Sequence, residues 1–168
     1  MEECKRLVPG MRHLLRTACL LSVGLAAPAF AQVEAAAGVS LTRSNETTPI
    51  ATLAWLPEWR PFGERGELRW EVGATHVRPR DNTSYDLNHL VTVVHGGYRY
   101  ERTDNGFTTG FGIGLQVGET DALSGNPQFI TTVGWRWGRF SLLARHISNA
   151  SIRQPNDGET MLQGAWRF

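Results

Sequence analysis

Hydrophobic and polar positions alternate with a period of two along most of this chain. Phe107, Thr109, Phe111, Ile113, Leu115 and Val117 fall on one parity, and Thr108, Gly110, Gly112, Gly114, Gln116 and Gly118 on the other. Successive side chains of a strand point to opposite faces, so this segment carries one apolar face and one face of small or polar groups. The same period recurs in residues 33–43, 48–56, 67–77, 88–100, 128–137, 139–152 and 159–168, which together with 106–119 predicts eight strands. Each is about as long as a tilted strand needs to cross a bilayer. After residue 31 no run stays apolar for the roughly eighteen residues of a membrane helix. The predicted fold is all-β, an eight-stranded antiparallel transmembrane β-barrel with lipid on the apolar parity and a crowded lumen on the other. The alternative is a soluble, lipocalin-like closed barrel, which would turn the apolar parity inward.

Turn-forming residues separate the segments: Arg43-Ser44-Asn45-Glu46, Pro79-Arg80-Asp81-Asn82, Thr103-Asp104-Asn105-Gly106, Ser124-Gly125-Asn126-Pro127 and Pro155-Asn156-Asp157-Gly158, with the tightest turn at Gly138. An even number of strands puts both ends of the barrel sequence on one side, the periplasmic side in outer-membrane barrels. The loop between the last two strands is then extracellular. Pro57 to Gly66 is long for a periplasmic turn. At the C-terminus Leu162, Trp166 and Phe168 share a parity, a pattern similar to the signal read by the outer-membrane barrel-assembly machinery, which is the partner expected during biogenesis. The 6 tryptophans and 3 tyrosines fit aromatic girdles at the membrane interfaces.

The N-terminal part has a different character. Lys5, Arg6, Arg12 and Arg16 precede the apolar stretch from Ala18 to Ala27, and Ala29-Phe30-Ala31 follows. This predicts a signal peptide over residues 1–31, read from Met1 or Met11, and an outer-membrane barrel domain over 32–168; an N-terminal core helix is the other reading. Cys4 and Cys19 both fall in the first segment, so the barrel domain contains neither disulfide nor thiol, and metal or cysteine-nucleophile chemistry loses its support. The charges nearly cancel, at 17 basic and 16 acidic residues, which gives no argument for nucleic acid. Every basic residue after residue 31 is arginine. Guanidinium forks match phosphate oxygens, as a surface among phosphorylated glycolipids requires, although a compositional bias gives the same count.

Candidate chemistry sits in the seventh segment. Phe140, Leu142, Ala144, His146 and Ser148 share one face, while Arg145 and Asn149 share the other. An arginine marks the second face as the lumen, so His146 and Ser148 point towards lipid, close to the extracellular loop. Polar groups in hydrocarbon are costly without partners or a task. Residues two apart on a strand are about 6.5 to 7 Å apart at Cα, a gap that two side chains leaning together close to a hydrogen bond. The pair can act as base and nucleophile of a serine hydrolase working on lipid. An interfacial histidine beside a small polar residue would look the same.

The longer run, His146-Ile147-Ser148-Asn149-Ala150 followed by Gln154-Pro155-Asn156-Asp157-Gly158, resembles the signature of the lipid A 3-O-deacylases of the PagL type. The resemblance implies an outer-membrane serine esterase that removes the 3-O-linked acyl chain from the lipid A of lipopolysaccharide, without metal or cofactor, with its active site towards the outer leaflet. It implies His146 as general base, Ser148 as nucleophile and Asn156 in the oxyanion hole, with Asn149, Pro155 and Gly158 as supporting motif residues. The family carries a glutamate after the glycine of this turn, with one residue between the two. Here Glu159 follows Gly158 directly, and Thr160 occupies the family's glutamate position. Glu159 is expected to be the orienting acid, turned outward by a bulge at the strand start; Asp157, or no acid, is the alternative. Arg153, with Arg43, Arg78 and Arg80, are candidates for substrate phosphates or plain solvated loop charges. The competing functions are a non-catalytic small outer-membrane barrel and another lipid-active barrel, a phospholipase or an acyltransferase.

Overall fold

The computed structural model describes residues 32–168 except 58, 82 and 83; the expected signal peptide over 1–31 lies outside the described residues. The strands are β1 (Gln32–Leu41), β2 (Thr47–Leu56), β3 (Trp59–Pro61), β4 (Gly66–Val77), β5 (Val91–Arg102), β6 (Phe107–Val117), β7 (Gln128–Trp137), β8 (Phe140–Ser148) and β9 (Glu159–Arg167). Every neighbouring pair is antiparallel. Pairing of β1 with β9 and of β2 with β4 closes β1, β2 and β4 to β9 into the expected eight-stranded barrel. Closure leaves no open sheet edge among the eight, the condition for a sheet to lie in hydrocarbon. No described helix is long and apolar enough to cross a membrane.

The awkward segment 57–65 resolves into a local feature. β3 folds back antiparallel on β4, pairing Trp59 with Arg69 and Pro61 with Glu67, and Phe62 packs edge-to-face on Tyr100 at 5.8 Å between ring centroids. The residues are a hairpin added to the end of β4 rather than an unstructured turn.

The apolar parity faces outward. Leu115 is 64% exposed and Leu53 59%, and Ile113, Val94 and Leu162 follow the same pattern, which excludes the lipocalin-like alternative. Trp55, Trp70, Trp135, Trp137 and Trp166 all lie on the outer face at the end that carries the short turns. These five tryptophans thus form one girdle, at one end of the barrel.

The lumen is filled in two layers. Near the short-turn end, Arg99 donates to Glu34 at 2.6 Å and to Glu71 at 2.9 Å, Arg145 donates to Glu71 at 2.6 Å, and Arg167 bridges Glu34 and Glu101. These groups are buried and paired, as charges away from water must be. Towards the loop end the filling is apolar: Ile50, Val77, Val91, Val93, Ile130, Ile147 and Met161 surround Leu123. Leu123 comes from the β6–β7 loop, which dips into the barrel mouth. Gln116 donates to its carbonyl at 2.8 Å, and Gln128 donates to the Gly125 carbonyl at 2.6 Å. The plug also supports the β8–β9 loop, where the candidate site lies.

Candidate active site

Strand β8 ends at Ser148, four residues before the sequence pattern predicted. Ala150 and Ser151 both have positive φ, 52° and 63°, and Ile152 N–H donates to the Asn149 carbonyl at 3.1 Å. Two central residues with φ above zero form the mirror-image turn that suits strand twist, at a cost of about 1–3 kcal/mol for each non-glycine residue. The fully buried Asn149 side chain offsets that cost. Its Nδ2 donates to the Ser124 carbonyl at 2.7 Å and to the Arg153 carbonyl at 3.1 Å. Asn149 thus faces inward, and its side-chain bonds tie the strand end to the loops around it.

His146 and Ser148 lie half-buried on the outer face, while Arg145 and Ile147 between and beside them are buried in the lumen. Across the ladder His146 pairs with Thr131 of β7 and Thr160 of β9. Its Nδ1 is 3.0 Å from the Thr160 hydroxyl, and its Nε2 has no hydrogen-bond partner among the described residues. The Ser148 hydroxyl likewise makes no hydrogen bond within the described protein. The imidazole rests on Gly158: a Cβ at that position would come 2.8 Å from Cε1 and 3.1 Å from Nε2. Gly158 also has φ +70°, so its lack of a side chain serves both backbone and ring.

Asn156 reaches back to the strand end. Its Oδ1 accepts the Asn149 backbone N–H at 3.3 Å. A backbone N–H can only donate, so the amide oxygen must face Asn149 and the Nδ2 group is left free to donate elsewhere. Backbone donors of the following loop are committed: Gly158 N–H donates to the Ala122 carbonyl at 2.9 Å and Asp157 N–H points to the Asp121 carbonyl at 3.5 Å. The Pro155 carbonyl accepts the Ser124 hydroxyl. Ser124 and Ala122 therefore hold the loop from beneath, a support in which the sequence showed only a turn at 124–127.

The expectation for Glu159 is not met. Its carboxylate is 1% exposed in the lumen, where it accepts the Ser40 hydroxyl and pairs with Arg80. No bulge turns it outward, because the register runs without interruption from Ile147↔Glu159 through His146↔Thr160 to Arg145↔Met161. Glu159 keeps the inward parity that it shares with Arg167. Thr160 is the residue of the last strand that meets His146. Asp157 makes no side-chain hydrogen bond or ion pair to the imidazole, its backbone being tied to Asp121. Arg80, a candidate for phosphate, is spent on Glu159, whereas Arg43, Arg78 and Arg153 are exposed.

The family model described as lipid A 3-O-deacylase (PagL) matches residues 47–168. Among solved structures, the barrel is similar to one titled the outer membrane enzyme PagL, at TM-score 0.53 and 20% identity, covering 82% of this chain and 98% of that one. Ail, the attachment invasion locus protein of Yersinia pestis, aligns at TM-score 0.44 and 10% identity, covering 82% of this chain and 96% of that one. Among curated proteins none matches significantly. With the match spanning β2 to β9 and the whole His146 to Gly158 run, the chain belongs to the lipid A 3-O-deacylase (PagL) family.

Proposed function

We propose that the loop end of β8 is the active site of a serine esterase, open to the outer leaflet. The activity itself follows from the family: an outer-membrane enzyme that removes the 3-O-linked acyl chain of lipid A. The observation that supports the residue assignment is that Asn156 Oδ1 accepts the N–H of Asn149, the residue after Ser148, which leaves Nδ2 to donate at the end of the strand that carries the outward His146 and Ser148. Among the described residues the Ser148 hydroxyl, His146 Nε2 and Asn156 Nδ2 have no hydrogen-bond partner, which leaves each available to a substrate.

The reaction is acyl transfer in two halves. Ser148 Oγ attacks the ester carbonyl carbon as its proton passes to His146 Nε2, and the carbonyl oxygen takes up the negative charge. Asn156 Nδ2 donates to that oxyanion. Collapse expels the sugar 3-oxygen, which takes the proton from His146 and leaves the acyl chain on Ser148. A water then attacks the acyl-enzyme with His146 again as base, and the fatty acid leaves as Ser148 regains its proton. The lipid-facing position of the pair lets a membrane-embedded ester meet the nucleophile without leaving the bilayer. Arg43, Arg78 and Arg153 are the exposed guanidinium groups available for the substrate's phosphates.

Mass spectra of lipid A from cells with and without the chain test this reading. Loss of one 3-hydroxyacyl chain is expected in the parent and not in Ser148→Ala. An unchanged lipid A profile in cells holding the folded parent would contradict it, and loss of a phospholipid acyl chain would point to the phospholipase alternative.

A further inference from the structure

Resting on that esterase reading, we infer that the hydroxyl of Thr160, not a carboxylate, orients His146, so that the chemistry runs on a Ser148–His146 pair steadied by a neutral third member. Thr160 sits directly across the ladder from His146 on the same outer face, with Oγ1 3.0 Å from Nδ1. No described carboxylate is hydrogen-bonded or ion-paired to the ring. Glu159, one residue earlier, has both oxygens engaged in the lumen by Ser40 and Arg80, and the uninterrupted register keeps it there.

A third member has two separable tasks: to fix the ring in one tautomer and orientation, and to stabilise the imidazolium that forms when the serine proton arrives. A threonine hydroxyl performs the first. By accepting Nδ1–H it leaves Nε2 as the lone-pair nitrogen, the form that a base acting on Ser148 needs. It performs the second only weakly, because it carries no net charge. In exchange, no carboxylate has to be held against hydrocarbon, where an ionised group is costly. Glu159 takes no part: its carboxylate is held in the lumen by Arg80 and Ser40, while the alternation of the paired strand sends the next residue, Thr160, outward. Thr160 is a positioning residue.

The test uses the purified barrel in detergent micelles with lipopolysaccharide bearing the 3-O-acyl chain, comparing Thr160→Val, Thr160→Ser and Glu159→Gln per folded barrel. Thr160→Val keeps the shape and removes the hydroxyl; a fall of about 10- to 100-fold in kcat with KM nearly unchanged is expected, and Thr160→Ser should restore most of it. Glu159→Gln should stay within about threefold of the parent. A readout independent of turnover is the 15N spectrum of the histidines, with His146 identified by the signal lost in His146→Gln. Nδ1–H should predominate in the parent and lose that preference in Thr160→Val. Near-parent turnover in Thr160→Val alongside a loss of orders of magnitude in Glu159→Gln would overturn the inference, as would a parent His146 protonated on Nε2 alone. Failure of the esterase reading is told apart by Ser148→Ala: activity retained there removes the serine mechanism, whereas the tautomer still reports whether Thr160 holds the ring.

Discussion

The imidazole of His146 lies against the α-carbon of Gly158, closely enough that a Cβ there would come 2.8 Å from Cε1. This places the motif glycine under the imidazole and gives a direct prediction. Gly158→Ala adds both a clash with the ring and a left-handed backbone strain, at φ +70°. The barrel should still fold, with a loss of about 1–3 kcal/mol. Turnover should fall by about 100-fold or more as the ring is displaced. Heat-modifiable migration on gels checks the first, and release of hydroxy fatty acid the second.

Asn156→Ala removes the amide proposed to stabilise the oxyanion and should lower kcat by about 10²–10³ with little change in KM. Asn156→Asp should be worse than Asn156→Ala, since a carboxylate would present negative charge to the developing oxyanion. Steady-state kinetics of the two variants check the order; an Asn156→Asp barrel faster than Asn156→Ala would remove the oxyanion role.

Stability and activity should separate at Glu159. Its carboxylate is buried against Arg80, so Glu159→Gln leaves a buried guanidinium without its counter-charge, at a cost of about 3–5 kcal/mol. Replacing Arg80 by Gln in the same chain should recover part of that loss, because the charge left unpaired is then gone. Unfolding by urea in the presence of micelles measures both. Equal losses in the single and double variants would show that the pair contributes little.

The lumen should not conduct. Leu123 and its apolar neighbours close the loop end, and the Arg99, Arg145 and Arg167 ion pairs fill the other. Planar-bilayer recordings of the parent should show no unitary current steps. Deleting the inward part of the β6–β7 loop should open the mouth and also lower turnover, since Ser124 and Ala122 support Asn149 and Gly158.

The barrel was legible because its signal is local: each spanning strand shows its inside and outside within about ten residues, and parity alone assigned Arg145 to the lumen and His146 to the lipid. The end of β8 was not legible. Asn149 to Ile152 continue the alternation, but the left-handed turn at Ala150 and Ser151 is held by Asn149 bonding to Ser124, which is distant in sequence. β3 escaped notice because it is three residues long, ends in proline and exists only by pairing with β4. At Glu159 and Thr160 the parity was correct as it stood. No bulge brings an acid to His146, because the Glu159 charge is satisfied instead by Ser40 and Arg80, from a strand and a loop far along the chain.

The most direct measurement of the central assignment is the rate at which folded Ser148→Ala barrel releases 3-hydroxy fatty acid from lipopolysaccharide, set beside His146→Ala and the double variant. Groups that act as one unit are far from additive. All three should therefore be reduced by several orders of magnitude to a similar residual rate, with heat-modifiable migration unchanged. Substantial turnover by Ser148→Ala would contradict the account, since the account assigns the attack on the ester to Ser148 alone.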